Sequence, residues 1–133
     1  MITAVDTSVL ITIAKGEARA QEWTDLLAEA HADGDLVVCD VVAAEYYALV
    51  LDRSKFARTF FALGITFSPT SLETAQLAGR LFREYRRAGG PREHLVPDFL
   101  VGAHAQTQGD RIAAVDRGYL RRYFPRLKIA KPH

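Results

Sequence analysis

Short apolar segments recur along this chain, and each is separated from the next by a segment with the length and spacing of a helix. Such short apolar segments are typical of strands buried on both faces of a parallel sheet, whose crossover connections are usually helices. We therefore predict an α/β fold in which a short parallel sheet of four to five strands is flanked by helices on both faces. The predicted strands are residues 2–5, 36–39, 65–67, 111–115 and 127–130.

The helices are predicted from apolar residues that recur at the spacing of one helical face, as they do within residues 17–34. Thr70 is followed three residues later by Glu73, which is the sequence signature of a capping box. This pair predicts the start of a helix that ends near Gly89. Further helices are predicted over residues 8–16, 41–52, 53–64 and 99–109.

The length of the chain, 133 residues, predicts a single domain over residues 1–133. A chain of this size buries roughly two-thirds of its unfolded surface. The single cysteine, Cys39, excludes an intramolecular disulfide, and no apolar run is long enough to cross a bilayer. We therefore expect a cytoplasmic protein without a membrane segment.

Charge is divided unevenly between the two ends of the chain. Residues 1–52 carry a net charge of −8 and residues 53–133 a net charge of +9, although the whole chain is close to neutral. This asymmetry indicates a polyanionic partner for the basic part, unless the charges mix on the folded surface. Near the end of the chain, Tyr119 and Tyr123 are interleaved with arginines, a pattern that can track a nucleic-acid backbone and stack bases. An ordinary basic surface over core aromatics is the alternative.

Two aspartates directly follow predicted strands. Asp6 comes after residues 2–5, and Asp116 comes after residues 111–115. The carboxyl ends of parallel strands share one edge of the sheet, and open α/β sheets bind ligands at that edge, where the strand order reverses. Helix capping is the alternative role for Asp6. The pair nevertheless indicates a site at this edge.

Two further acids, Glu45 and Asp98, are unusual for their surroundings. Glu45 lies in the apolar run VVAAEYYALV, where a charge is costly to bury unless it is paired or bound to a cation. A polar stripe facing solvent is the alternative for Glu45. Asp98 stands at the start of a predicted helix, where aspartate is also a favoured N-cap. Asp40 is interpreted as another N-cap, or else as a fifth acid at the rim of the site.

The predicted fold can bring four acids together, and like charges so close would raise one another's pKa values. A hard cation neutralises such a cluster, and all-oxygen ligands suit Mg²⁺ or Mn²⁺. Carboxylate-held Mg²⁺ polarises a phosphoryl oxygen and activates water, which is the chemistry of phosphodiester hydrolysis. The four acids are Asp6, Glu45, Asp98 and Asp116.

Four short motifs follow one another along the chain: DTSVLI (6–11), AAEYY (43–47), DFLVGAHA (98–105) and AAVDRGY (113–119). They occur in the order found in PIN-domain ribonucleases, and the chain resembles the compact VapC-type toxins of toxin–antitoxin pairs along essentially its whole length. The resemblance implies that the four acids bind the metal of a Mg²⁺-dependent endoribonuclease. Ser8 would orient a carboxylate or water, and Arg117 is expected nearest the scissile phosphate. The chain departs from many relatives at Ala114, where a hydroxyl is common.

A toxin of this kind implies an RNA substrate and a cognate antitoxin. We expect the antitoxin to present an Arg or Lys to the carboxylates and to lay an amphipathic helix in a groove. The aromatic segments at 43–50 and 58–64 are the predicted walls of that groove or of a homodimer face, and core packing is the alternative.

Other classes of function remain open at this point. A haloacid-dehalogenase-type phosphatase also places an aspartate after its first strand, but it needs a second aspartate two residues on, where this chain has Ser8. A receiver-like regulatory domain needs an acidic pair near Asp6, and none is present. A PIN nuclease of RNA processing that acts without an antitoxin fits the same four acids.

Overall fold

The computed structural model describes residues 1–115 and 118–133, and it contains a five-stranded parallel sheet. The strand order is β3-β2-β1-β4-β5, and every neighbouring pair is parallel. The predicted α/β class is therefore confirmed, and all five predicted strands are present. They are β1 (Ile2–Val5), β2 (Asp35–Val38), β3 (Ile65–Phe67), β4 (Arg111–Ala113) and β5 (Lys128–Ala130).

Seven helices connect and cover these strands within the described residues. Six of them match predicted helices, with ends shifted by one to three residues, and α7 was not predicted. They are α1 (Thr7–Ala14), α2 (Ala20–Asp33), α3 (Asp40–Val50), α4 (Arg53–Leu63), α5 (Leu72–Arg87), α6 (Val96–Gln108) and α7 (Gly118–Tyr123). None of these helices is long and apolar enough to span a membrane.

The core lies on both faces of the three central strands, β2, β1 and β4. Leu36 and Val38 of β2 are fully buried, and so are Val5 of β1 and Ile112 of β4. Both faces of a parallel sheet are covered by its crossover helices, so the strands read as continuous apolar runs rather than alternating ones. This burial explains why the strands could be located from the sequence.

The predicted capping box at the start of α5 is wrong by one residue. Ser71, not Thr70, is the N-cap, and its hydroxyl oxygen accepts a hydrogen bond from the Thr74 amide at 3.1 Å. Thr70 instead donates its amide and its hydroxyl to the Asp40 carboxylate. The local pattern located the helix, while a contact across 30 residues decided which hydroxyl caps it.

Helix α6 closely approaches Phe124, the residue that follows α7, because Gly102 faces the Phe124 ring. A Cβ placed on Gly102 would lie only 2.4 Å from the Phe124 ring, well inside van der Waals contact. Gly102 and Phe124 are both buried, so a side chain at position 102 would push the two segments apart. The glycine therefore sets the distance between α6 and the segment that carries Tyr119 and Tyr123.

The chain order makes β1 the switch point of the sheet. From β1 the chain adds β2 and β3 on one side, and it then crosses over to add β4 on the other side. The carboxyl ends of β1 and β4 therefore lie side by side. A hydrogen bond joins them, because the Asp6 amide donates to the Ala113 carbonyl at 2.9 Å. A crevice at such a point is where open α/β sheets bind their ligands.

Candidate active site

Asp6 lies between β1 and α1, at the carboxyl edge of the sheet. Its backbone is extended, and its carboxylate accepts hydrogen bonds from the Ser8 amide at 3.2 Å and from the Ser8 hydroxyl. The Ser8 hydroxyl oxygen in turn accepts from the Val115 amide at 3.1 Å. Asp6 is thus the N-cap of α1, and Ser8 joins its carboxylate to the end of β4.

Burial raises the pKa of the Asp6 carboxyl above its ordinary value of 3.8. The two hydrogen bonds from Ser8 act in the opposite direction and lower this pKa, while the negative charge of Glu45 raises it further. Desolvation of the carboxylate is the largest of these effects. A cation beside Asp6 would offset both the desolvation and the repulsion from Glu45.

Glu45 lies on the exposed face of α3, so the premise that its charge is buried is wrong, and the side chain faces solvent as the alternative had it. Its carboxylate oxygen Oε1 accepts a hydrogen bond from the Thr7 hydroxyl at 2.7 Å. Thr7 is the first residue of α1 and is buried, which fixes the position of its hydroxyl. Glu45 is therefore a partly solvated carboxylate that is held towards Asp6 by the neighbour of Asp6.

Thr7 was not among the residues singled out from the sequence. The only sequence signal is its place between Asp6 and Ser8, in a polar pair that interrupts two apolar runs. Its partner, Glu45, is 38 residues away along the chain, so only the packing of α1 against α3 shows what the hydroxyl contacts. The Thr7–Ser8 pair thus serves two different carboxylates.

Asp98 does not cap its helix in the way expected, because α6 begins two residues earlier, at Val96. The N-cap is Leu95, and the Asp98 carboxylate accepts a hydrogen bond from the Leu95 amide at 2.9 Å. The same carboxylate oxygen lies 3.7 Å from Nδ1 of His94. One carboxylate oxygen of Asp98 therefore accepts the hydrogen bond from the N-cap amide of α6. The Asp98 side chain is about two-fifths exposed.

Topology brings the start of α6 to the edge that carries Asp6. Helix α6 leads into β4 and packs against β1 and β4. The chain reverses direction between a crossover helix and the strand that follows it, so the amino end of α6 lies at the carboxyl edge of the sheet. Asp98 is thus placed at the same edge as Asp6 and Glu45.

Asp116 and Arg117 lie outside the described residues, so their predicted roles remain predictions. Ala114, two residues before Asp116, is fully buried. Among residues 1–115 and 118–133, no group of three or more His, Cys, Asp or Glu side chains is close enough to hold a metal ion. Asp6 and Glu45 come together in the structure, and full convergence of the four acids remains a prediction.

Asp40 is not the N-cap of α3, which contradicts the favoured interpretation. Cys39 occupies the N-cap position, and Asp40 is the first residue of the helix. The Asp40 carboxylate accepts hydrogen bonds from the Thr70 hydroxyl and from the Thr70 amide at 3.0 Å. These bonds lower the pKa of Asp40, with the Thr70 hydroxyl as the largest cause. Asp40 therefore ties α3 to the connection between β3 and α5.

His104 belongs to the buried core between α6 and the end of β3, and not to the candidate active site. The side chain is buried, and its Nε2 lies 3.0 Å from the Ser68 hydroxyl. Burial lowers the pKa of His104, so the ring is neutral at pH 7. A neutral, hydrogen-bonded histidine at this position stabilises the contact between α6 and the end of β3.

Comparison with known proteins identifies the family and agrees with the fold. The sequence profile of the PIN domain matches residues 3–125, which is most of the chain. None of the curated proteins matches the sequence. The profile match includes the sequence positions of all four predicted acids.

Solved structures with the same fold include proteins of toxin–antitoxin pairs. VapBC-1 from nontypeable Haemophilus influenzae superposes with a TM-score of 0.74 at 16% identity, covering 98% of this chain and 98% of that chain. VapBC2 from Rickettsia felis, bound to a promoter DNA fragment, gives 0.73 at 18% identity with 98% of each chain covered. VapC20 from Mycobacterium tuberculosis, described as a sarcin–ricin loop cleaving toxin, gives 0.60 at 17% identity, with coverage of 88% and 92%.

Proposed function

Because this chain belongs to the PIN domain family, we propose that it is a metal-dependent endoribonuclease that acts as the toxin of a toxin–antitoxin pair in the cytoplasm. The observation that carries the proposal is the Asp6 carboxylate, which is desolvated at the switch point of the sheet and repelled by Glu45. A carboxylate in that position is poised for a cation. RNA as the substrate is supported by the description of VapC20 as a toxin that cleaves the sarcin–ricin loop.

The donor set fits a hard cation. The predicted ligands Asp6, Glu45, Asp98 and Asp116 offer only oxygen atoms, which suit Mg²⁺ or Mn²⁺ rather than zinc. Hydrogen bonds from Ser8 and Thr7 each occupy one carboxylate oxygen, on Asp6 and Glu45, and orient the other. Bound at these carboxylates, the metal would supply Lewis-acid polarisation of the phosphoryl oxygen and a lowered pKa for the attacking water.

The residues themselves orient the site. Ser8 fixes the Asp6 carboxylate and joins it to the Val115 amide, just before the predicted ligand Asp116. Thr7, the residue before Ser8 in α1, orients the Glu45 carboxylate through its own hydroxyl hydrogen bond. Partners that orient ligating carboxylates typically contribute tenfold to a hundredfold to metal affinity or activity. Arg117, which follows Asp116, is the proposed contact to the scissile phosphate.

Metal dependence is tested by melting and cleavage measured on the same samples. Mg²⁺ or Mn²⁺ should raise the melting temperature of the wild-type protein, because a cation that binds only the folded acids stabilises by mass action. The rise should be smaller for Glu45→Gln, which removes one charged ligand. Cleavage of RNA should require the metal and stop in chelator. Melting curves and cleavage that are the same in chelator and in Mg²⁺ would show that no functional metal site exists.

The antitoxin surface is proposed at α3 and α4. Phe61 is 90% exposed, and Tyr47 and Leu49 are also exposed, so these segments are not wholly core. Tyr46 and Phe60, in the same segments, are buried and stack on each other with ring centroids 6.1 Å apart. The buried rings of α3 and α4 therefore support exposed apolar side chains on the same two helices. Such a surface fits an amphipathic helix of the antitoxin or the second subunit of a homodimer.

The toxin part of the proposal is tested by co-expression with the product of the neighbouring upstream reading frame. A cognate antitoxin should co-purify with the chain, and the complex should have little RNase activity, because an Arg or Lys of the antitoxin would replace the cation at the carboxylates. Recovery of only the free, fully active chain would refute the proposal that an antitoxin binds and inhibits it. It would leave the alternative, a PIN nuclease of RNA processing.

A haloacid-dehalogenase-type phosphatase is no longer supported. The family match places the chain among PIN domains. The position two residues after Asp6 is Ser8, whose hydroxyl is bonded to Asp6 and to the Val115 amide. A generic phosphate monoester should therefore not be hydrolysed under conditions in which RNA is cleaved.

A further inference from the structure

An aromatic cleft lies beside Asp98, outside the acids themselves. It forms where α5, the connection before α6 and helix α7 meet, and its volume is about 320 Å³. Among the described residues, its lining consists mainly of aromatic rings, together with one cation and one carboxylate, that of Glu93. The rings are Tyr85, His94, Tyr119 and Tyr123, and the cation is Arg122.

The rings of the cleft rest on a rigid support. Phe99 is fully buried beneath them, with ring centroids 5.4 Å from Tyr85 and 5.5 Å from Tyr123. The rings of His94 and Tyr119 pack against each other, with centroids 4.6 Å apart and planes tilted by 33°, so a base would stack on an outer face of the pair and not between the two rings. The Tyr85 hydroxyl donates to the Pro91 carbonyl, which holds the connection before α6 in place.

Arg122 adds positive charge next to an aromatic face. Its guanidinium carbon lies 5.5 Å from the centre of the Tyr123 ring, within the range of a cation–π contact. Arg122 is exposed and Tyr123 is half-buried, so the guanidinium nitrogens face solvent while the ring orients the side chain. An exposed arginine oriented in this way suits a phosphate oxygen.

The cleft is joined to Asp98 at two points. His94, one wall of the cleft, has Nδ1 3.7 Å from the Asp98 carboxylate. The Tyr119 hydroxyl, from another wall, donates to the Asp98 backbone carbonyl at 3.2 Å. A group held in the cleft is therefore adjacent to one of the proposed metal ligands.

We propose that this cleft binds one unpaired nucleobase of the RNA, on the nucleotide next to the scissile phosphate. The proposal rests on the proposed ribonuclease function, and it adds a subsite to the acids. Every base has a π-face that stacks on aromatic side chains, and sequence-specific proteins usually read bases that are splayed out of single strands. The interleaved basic and aromatic residues of the sequence thus have a structural counterpart, with rings for the base and Arg122 for its phosphate.

Binding of single-stranded RNA to a catalytically inactive background tests the cleft without cleavage. Fluorescence anisotropy of a short labelled RNA is measured on Asp6→Asn with Tyr119→Leu or Tyr123→Leu added. Leucine keeps apolar bulk but cannot stack, so affinity should fall on the order of tenfold for each variant. The slope of affinity against salt should not change, because no phosphate contact is lost.

Three comparisons separate stacking from loss of structure. Tyr119→Phe keeps the ring and should bind as the parent does, although it loses the hydrogen bond to Asp98. Phe67→Leu is the matched control, because Phe67 is an exposed aromatic on β3, the opposite edge strand of the sheet. An RNA with one abasic position at the bound nucleotide should lose the same affinity as the leucine variants and should show no further loss when combined with them.

The outcomes of the subsite and of the ribonuclease are distinguishable. If the wild-type chain cleaves RNA but the leucine variants of Asp6→Asn bind RNA as tightly as the Tyr119→Phe variant does, the subsite is refuted and the ribonuclease stands. If Phe67→Leu weakens binding equally, the effect is not specific to the cleft, and the proposal fails. If the wild-type chain neither binds nor cleaves RNA, both proposals fail together.

Discussion

Replacing Asp6 by Asn should abolish metal-dependent RNA cleavage while the protein remains folded. Partners that only orient a metal ligand already contribute tenfold to a hundredfold, so loss of the ligand itself should cost about a hundredfold or more in cleavage rate. The asparagine oxygen can still accept from Ser8, and asparagine is as good an N-cap as aspartate. Cleavage of a labelled RNA by Asp6→Asn and wild type at matched protein and Mg²⁺ concentrations measures the effect.

The same substitution should stabilise the metal-free protein at neutral pH. The pKa of Asp6 is raised in the folded state, so its carboxyl favours folding most below its ordinary value of 3.8, and this contribution is lost as pH rises through the folded pKa. In chelator, Asp6→Asn should therefore melt at a temperature equal to or above that of wild type at pH 7. This advantage should shrink as the pH is lowered towards 4.

Asp35→Asn is the control for Asp6→Asn. Asp35 is an exposed acid at the first position of β2, the strand end opposite to the candidate site. Its replacement should leave cleavage unchanged. Near-normal cleavage by Asp6→Asn would refute the assignment of the site, whatever the control does.

Replacing Phe99 by Ala should produce the largest loss of stability among the changes considered. Phe99 is fully buried at the start of α6, and its ring contacts Phe82, Tyr85, Tyr119, Tyr123 and Phe124. Truncation of a buried phenylalanine costs about 3–5 kcal/mol of unfolding free energy, out of a typical total of about 5–15 kcal/mol. We expect a fall in melting temperature of about 10 °C or more, measured by circular dichroism.

Phe61→Ala supplies the matched comparison, because Phe61 is 90% exposed on α4. Surface truncations of this kind usually change stability by about 0.5 kcal/mol or less. Equal destabilisation by the two variants would contradict the described packing of α6. The comparison also separates the roles of the two rings, since Phe61→Ala should affect binding of the antitoxin and Phe99→Ala the support of the aromatic cleft.

The fold could be predicted from the sequence because its strands are buried on both faces. Residues 2–5 and 65–67 match β1 and β3 to the residue. The other strands differ only at their ends, where pairing with a neighbour decides the boundary. The predicted strand 111–115, for example, ends at Ala113, beyond which the Val115 amide bonds to Ser8 rather than to a strand.

Some features of the candidate site could not be predicted from the sequence, because they depend on contacts between residues that are distant along the chain. The position of Asp6 could be predicted from the neighbouring sequence alone, because an aspartate that directly follows a buried parallel strand lies at the carboxyl edge of the sheet. The exposure of Glu45 did not follow, because the apolar neighbours of Glu45 hid which side of α3 faces solvent. The roles of Asp40 and Thr7 depend on partners 30 and 38 residues away, which no local pattern specifies.

The bond between Ser8 and Val115 joins residues 107 positions apart, and this separation has a consequence during synthesis. At about 5–20 residues per second, a ribosome takes on the order of ten seconds to make the intervening chain. Until β4 emerges and pairs with β1, the Ser8 hydroxyl that orients Asp6 lacks its anchor. The nascent chain would therefore lack the anchored form of the proposed site until β4 has been made, so we expect cleavage activity to begin only after most of the chain has been synthesised.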